Sequence, residues 1–357
     1  MRLIARQIRR IVGYIFVFLI LAGISPSNIA FAESPNVVVS IKPIHSLIAG
    51  VMKGVGTPYL MVQGAASPHT YSLRPSDAHK LEHADAVFWV GEIVESFLIR
   101  PLRSVPNGVE ISELLKEGGI QLLSARKGGA WEGHAHEDEG HDKHGHDDHS
   151  EKHHDGEDEK HANEEEDHDK HGHDGHSKKH HDGDHIDGHI WLDPNNAVAI
   201  VRVAERLLSR VDSENAAVYQ KNSQALIARI LKLEKDISVT LAPVKAVPYV
   251  VFHDAYQYIE AHFGLNSIGS VSVHAGRSPG AKRLYELRHK IVDLGAKCVF
   301  SEPQFENKLV RTIIEGTGAL TGVLDPLGAD VPPGTDAYFE LMRQLAGSLE
   351  SCLGKNS

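Results

Sequence analysis

Short apolar runs alternate with amphipathic stretches over most of the chain. Residues 36–41 (NVVVSI), 59–62 and 86–90 (AVFWV) are β-branched or aromatic runs of strand length. Between and after them lie segments of helical character. One spans 43–52 and opens on proline, one is capped by Ser76 and runs through His83, and one spans 92–102 and is stopped by Pro106 and Gly108. Strands alternating with helices predict βαβ units and a mainly parallel sheet. A helix over 195–211 follows, with an apolar face from AVAIVRVAERLL. Leu226, Ile230, Leu233, Ile237 and Leu241 then recur at helical spacing within 213–241, after a cap at Asp212 or Ser213 and before Pro243. A helix of about 29 residues reaches about 43 Å. It is either an ordinary surface helix or a stiff connector between two lobes. Beyond it the pattern restarts, with strands at 248–252, 267–273, 297–301 and 320–324. Helices are expected at 254–263, 279–294 (capped by Ser278), 306–315 and 335–353.

Two stretches break this pattern. At the N-terminus, MRLIARQIRR is basic, IVGYIFVFLILAG is apolar, and Ala30-Phe31-Ala32 has the small-x-small form of an export-signal cleavage site. The apolar run is short for a membrane span, which needs about 20 residues; an uncleaved anchor is the other reading. The second break, 130–188, has no hydrophobic period. Such a composition cannot bury enough apolar surface to offset chain entropy and is expected to be disordered. The division that follows is a signal peptide at 1–32, an N-terminal α/β lobe at 33–212 interrupted by the insertion at 130–188, a connector helix at 213–242, and a C-terminal α/β lobe at 243–357.

Charge sharpens this division. The formal net charge of −11 is concentrated in the insertion, where residues 131–187 hold 21 acids against 6 lysines. Without Arg2, Arg6, Arg9 and Arg10 the remainder is balanced, 27 acids against 27 bases. No clustered basic face suggests nucleic-acid binding. The two cysteines, Cys298 and Cys352, read as one disulfide in an exported protein or as a thiolate metal pair; their wide separation favours the disulfide.

In open α/β sheets, ligands bind beyond the carboxyl ends of the strands. His253 follows PYVVF, Asp325 follows LTGVL, Glu302 follows KCVFS, and His69 lies in the loop after YLMV. His189 opens HIWLDP, where order resumes after the insertion. Two histidines of one lobe facing a histidine and an acid of the other suit zinc, which prefers four tetrahedral N, O or S ligands. No local spacing here is a metal fingerprint, and a lone histidine at a strand end is more often structural. His45 reads as a packed helix-start residue, and His262 and His289 as helix-surface residues. His79 and His83, four apart, read as an exposed pair that could bind metal, and His274 as a loop residue able to approach the cleft.

SPHTYSLRPSDAHKLEHADAVFWVG, GHIWLDPNNA, VPYVVFHDAYQYIEAHFG and KCVFSEPQF with TGVLDPLGAD resemble the zinc-binding periplasmic subunits of bacterial high-affinity zinc ABC transporters. The resemblance runs from about Val37 to Leu353, broken only by the insertion. It implies two α/β lobes, each with a mainly parallel sheet flanked by helices, joined by one long rigid helix, with the metal in the interlobe cleft. It implies His69, His189 and His253 as ligands. Manganese-binding relatives usually place a glutamate at the third position, so His253 points to zinc. For the fourth ligand the family uses the aspartate matching Asp325, a water, or an acid beside the first histidine; that last place is Pro68 here. Asp325 is expected, with water the alternative, and Glu302 is expected to be supporting or structural. The family's C-terminal-lobe disulfide matches Cys298 and Cys352, and a histidine-rich insertion before the second ligand segment is common in it.

The function implied is capture of Zn²⁺ in the periplasm by a monomer. The ion would be handed to an inner-membrane permease driven by an ATPase, with no bond made or broken. Rival readings are a manganese or iron carrier of the same fold, a zinc hydrolase with Glu302 as base, and a storage protein or adhesin working through the insertion. On the carrier reading, His134, His136, His141, His144, His146, His149, His153 and His154 are weak accessory ligands. A disordered chain loses entropy each time it closes around an ion.

Overall fold

The structure is a computed structural model that describes residues 34–126, 131, 186–271, 280–305 and 308–355. The expected signal segment, the histidines expected to be accessory ligands and His274 lie outside the described residues.

The N-terminal sheet holds β1 (Val37–Val39), β2 (Tyr59–Leu60), β3 (Ala86–Trp89) and β4 (Glu110–Glu113) in the order β2-β1-β3-β4, all parallel. The C-terminal sheet repeats the plan with β5 (Tyr249–Val251), β6 (Ser267–Ser270), β7 (Cys298–Ser301) and β8 (Leu320–Val323) in the order β6-β5-β7-β8. The central strands are buried throughout, as continuous apolar runs in parallel sheets require. In each sheet the chain leaves its first strand in one direction and returns on the other side. The switch points therefore lie between β1 and β3 and between β5 and β7, where open α/β sheets bind ligands.

The helices are α1 (Lys42–Val51), α2 (Pro75–Glu82), α3 (Ile99–Leu102), α4 (Pro194–Val211), α5 (Ala216–Leu241), α6 (Gln257–Phe263), α7 (Ala281–Asp293), α8 (Lys308–Ile314) and α9 (Ala337–Leu353). The long helix α5 is 26 residues, preceded by a 3₁₀ turn at Ser213–Asn215. Tyr219, Ser223, Leu226, Ile230, Leu233, Ile237 and Leu241 form its buried stripe at intervals of three and four. That stripe packs on α1 and α4 from the N-terminal half and on α9 from the C-terminal half. One hydrophobic core consequently runs from Val37 through Leu226 and Ile230 to Leu353. Polar bridges cross between the halves too: Trp191 Nε1 donates to Pro326 O at 2.8 Å, and Lys42 Nζ donates to the carbonyls of Gly328 and Ala329. A disulfide joins Cys298 in β7 to Cys352 in α9, with Cα atoms 6.3 Å apart.

Local expectations fail in places: Ser76 lies inside α2, whose N-cap is Arg74. The helix expected over 92–102 is instead a 3₁₀ turn, Ser96–Leu98, and the single turn α3. A continuous helix would carry Pro101 in its interior, whereas a start at Ile99 places the proline in the first turn, where its missing N–H costs nothing. Strand β4 was not anticipated, because EISE sits at the sheet edge with only Ser112 buried. Among the described residues, no helix is long and apolar enough to cross a membrane.

Candidate metal centre

His69, His189 and His253 come together in the cleft between the two sheets. One ring nitrogen from each lies within 4.8 Å of the others. The ring centroids are 5.5 Å apart for His69 and His189, 6.1 Å for His69 and His253, and 5.3 Å for His189 and His253.

Each histidine arrives differently. His253 stands two residues beyond β5, and Glu302 directly follows the neighbouring β7, so both occupy the switch point of the C-terminal sheet. His253 Nδ1 donates to Glu302 Oε1 at 2.7 Å, since an ionised carboxylate only accepts. His189 precedes a 3₁₀ turn, Ile190–Leu192, whose three apolar side chains are fully buried and anchor the segment ahead of α4. Asp193 caps α4 by accepting from Asn195 N at 2.8 Å. His189 Nδ1 donates to Asp187 Oδ1 at 2.7 Å, and that oxygen also accepts from the His189 backbone N–H. Gly188 between them is required by space, because a Cβ there would stand 2.4 Å from Val94 Cγ2. His69 sits in the loop between β2 and α2 and is less buried than the other two.

With Nδ1 committed to a carboxylate in two of the rings, Nε2 is the nitrogen left to face an ion, and its lone pair is available. His253 Nε2 is buried and has no hydrogen-bond partner within the protein, a costly state unless something else satisfies it. Burial acts to lower the His253 pKa, but the Glu302 charge and hydrogen bond outweigh it, and the net direction is upward. The cavity against the three rings has a volume of about 10 Å³, room for one small ion or water, and is walled by Pro68, Trp191, Phe305 and Leu327.

Asp325 is not in this group. Its Oδ1 accepts from Gln304 Nε2 at 2.8 Å and from the backbone N–H groups of Leu327 and Gly328, both at 3.0 Å. Its Oδ2 accepts from Ala329 N. Three donors meet Oδ1 and one meets Oδ2. Asp325 thus pins the loop after β8, and Lys42 clamps the same loop from the other lobe.

Asp187 was missed in the sequence, where it looks like the last acid of an acidic tract. Ile186, Asp187 and Gly188 are instead part of the fold. Ile186 bridges Ser124, Tyr258 Oη donates to Asp187 O at 2.8 Å, and Asp187 is buried. The only available signal was an acid two residues before a candidate ligand. Arg126, on the other side of the insertion, reaches Asp254 at 2.7 Å and Glu260 at 2.5 Å and lies over the Trp131 ring. Burial pushes the Asp254 carboxyl up to about 7.

Among the other histidines, His45 is buried with Nε2 3.0 Å from Pro58 O. His79 and His83 are exposed and stacked at 4.4 Å, and His289 is exposed against Tyr285. His262 corrects the surface reading: its side chain is 12% exposed, with Nδ1 2.9 Å from Asp193 and Nε2 3.1 Å from Glu234.

A family model described as the periplasmic zinc-uptake complex component A matches residues 37–352. The high-affinity zinc uptake system protein ZnuA of Brucella suis biovar 1 is 46% identical over 94% of this chain and 96% of its own length. The protein of the same name from Paracoccus denitrificans is 40% identical, over 91% of this chain and 94% of its own. Among solved structures, a ZnuA with residues 138–173 deleted and zinc bound superposes with a TM-score of 0.67 at 20% identity, covering 91% of this chain and all of that one. A manganese complex of FpvC from Pseudomonas aeruginosa superposes with a TM-score of 0.68 at 19% identity, covering 90% of this chain and 99% of that one. At such identities these two structures speak for the fold alone.

Proposed function

The chain belongs to the periplasmic zinc-uptake component A family, and from that premise we propose that it captures Zn²⁺ between its two lobes for delivery to a membrane permease and its ATPase. His69, His189 and His253 are the proposed ligands, with water completing the set and Asp325 left to its loop. The observation that carries this reading is the convergence of three imidazoles, two of them oriented by carboxylates at Nδ1. With nitrogen from all three protein ligands, the set is softer than the carboxylate-rich sets that suit manganese, which favours zinc. Two tetrahedral Zn–N bonds of about 2.05 Å separate their nitrogens by about 3.4 Å, so small side-chain shifts would close the triad on an ion.

The domain division proposed is an export signal at 1–32, lobes at 33–212 and 243–357, and a connector at 213–242, the protein acting as a periplasmic monomer. The insertion is an accessory collector of weakly held ions. A hydrolytic role is disfavoured because Glu302, the base that reading names, orients His253 through one of its oxygens. Competitive titration with Zn²⁺ and Mn²⁺ tests the proposal: preference for Zn²⁺ is expected, and preference for Mn²⁺ would overturn it.

A further inference from the structure

His189 and His253 are each oriented by a carboxylate and are nearly fully buried. His69 is more exposed and comes from a loop of residues 61–74 that runs through the exposed Gln63, Gly64 and Ala65. What fixes that loop is a buried side chain outside the metal centre. Asp77, in the first turn of α2, has no solvent exposure. Its Oδ1 accepts from Tyr59 Oη at 2.8 Å, and its Oδ2 accepts from Tyr71 Oη at 2.8 Å and from Arg74 N at 3.0 Å. One carboxylate therefore ties together β2, the loop two residues beyond His69, and the start of α2. The Tyr71 ring packs on Phe97 at 5.0 Å, and its hydroxyl stays a donor at neutral pH because burial pushes its pKa up to about 12.

We propose that Asp77 is a positioning residue for zinc, holding the His69 loop in its binding position through Tyr71. The two tyrosines divide the role. Tyr59 belongs to β2 and would hold Asp77 in place whether or not an ion is present. Tyr71 belongs to the ligand loop, so loss of its hydroxyl frees the His69 side of the site while the sheet stays intact. This inference rests on the zinc-binding reading above.

The test compares Tyr71→Phe with Tyr59→Phe in the full chain, each keeping its ring and losing one hydrogen bond to the same carboxylate, Tyr71→Phe also losing the longer contact of its hydroxyl with Met61 O at 3.3 Å within the same loop. Zinc affinity is read by chelator competition, zinc release by stopped flow, and stability by thermal unfolding. Tyr71→Phe should weaken binding about tenfold, chiefly through faster release, while Tyr59→Phe lowers the unfolding temperature and leaves affinity within twofold. An unchanged release rate in Tyr71→Phe would overturn the inference, as would equal losses of affinity in both variants. His69→Ala separates the two levels. If it binds zinc as the wild type does, the ligand assignment fails and the positioning role with it. If it loses tight binding while Tyr71→Phe does not, only the positioning role fails.

Discussion

Glu302 accepts the Nδ1 proton of His253 at 2.7 Å across the β5–β7 switch point, so the position of this cleft imidazole is set by the strand beside its own. Asp187 orients His189 likewise, but from two residues earlier in the same segment. Outer partners of this kind commonly contribute 10–100-fold to metal affinity. Glu302→Gln keeps the shape of the side chain and loses the charge. It should weaken zinc about 10–100-fold in a chelator competition assay, with unchanged secondary structure by circular dichroism.

Both oxygens of Asp325 accept from its own loop or from Gln304, three donors on Oδ1 and one on Oδ2, and it is expected to act on its loop rather than on the ion. Asp325→Ala leaves three backbone N–H groups and Gln304 without their acceptor. Each such loss costs about 1–3 kcal/mol where the group is buried. A lower unfolding temperature with zinc affinity within about tenfold of wild type is the expected pair of results. Loss of affinity comparable with that of His253→Ala would make Asp325 a ligand after all.

The bond between Cys298 and Cys352 closes a separation of 54 residues between β7 and α9. Loop-closure entropy puts its contribution at about 4 kcal/mol. The double variant Cys298→Ser, Cys352→Ser should unfold roughly 8 °C lower in a thermal melt and still bind zinc, because neither sulfur borders the cleft.

His262 joins three parts of the fold: its own α6, the α4 cap Asp193, and Glu234 of α5. The hydrogen bond to Asp193 does most to raise its pKa above 6.5, burial opposes, and Glu234 adds to the rise. A folded-state pKa above the unfolded one gives stabilisation that is full below the unfolded value and lost as pH rises through the folded value. The unfolding-temperature difference between wild type and His262→Gln should therefore be largest at pH 6 and shrink steadily toward pH 9. A difference that grows with pH would contradict this.

Much of this site could be read in the sequence because the rule that found it is topological. Residues just past PYVVF and KCVFS had to meet at a switch point once both runs were parallel neighbours, which brought His253 and Glu302 forward. The stripe from Tyr219 to Leu241 likewise displayed the long helix through its period alone. What escaped depended on contacts between distant segments. Asp187 is an ordinary acid among many until Tyr258 and Ser124 fix its segment. His262 looked like any polar helix residue until Asp193 and Glu234 closed on it from two other helices. Asp325 stands at the strand end read from the sequence, but its bonds from the Leu327, Gly328 and Ala329 amides depend on a turn whose conformation no residue pattern displayed.

The central claim is that tight binding belongs to three folded histidines and not to the far more numerous histidines of the insertion. Zinc titration against a competing chelator, on a variant lacking residues 132–185, tests this most directly. One tight site should remain, with fewer ions bound in total, and His253→Ala in that shortened chain should abolish it. Disappearance of tight binding on removal of the insertion, with His69, His189 and His253 intact, would contradict the claim.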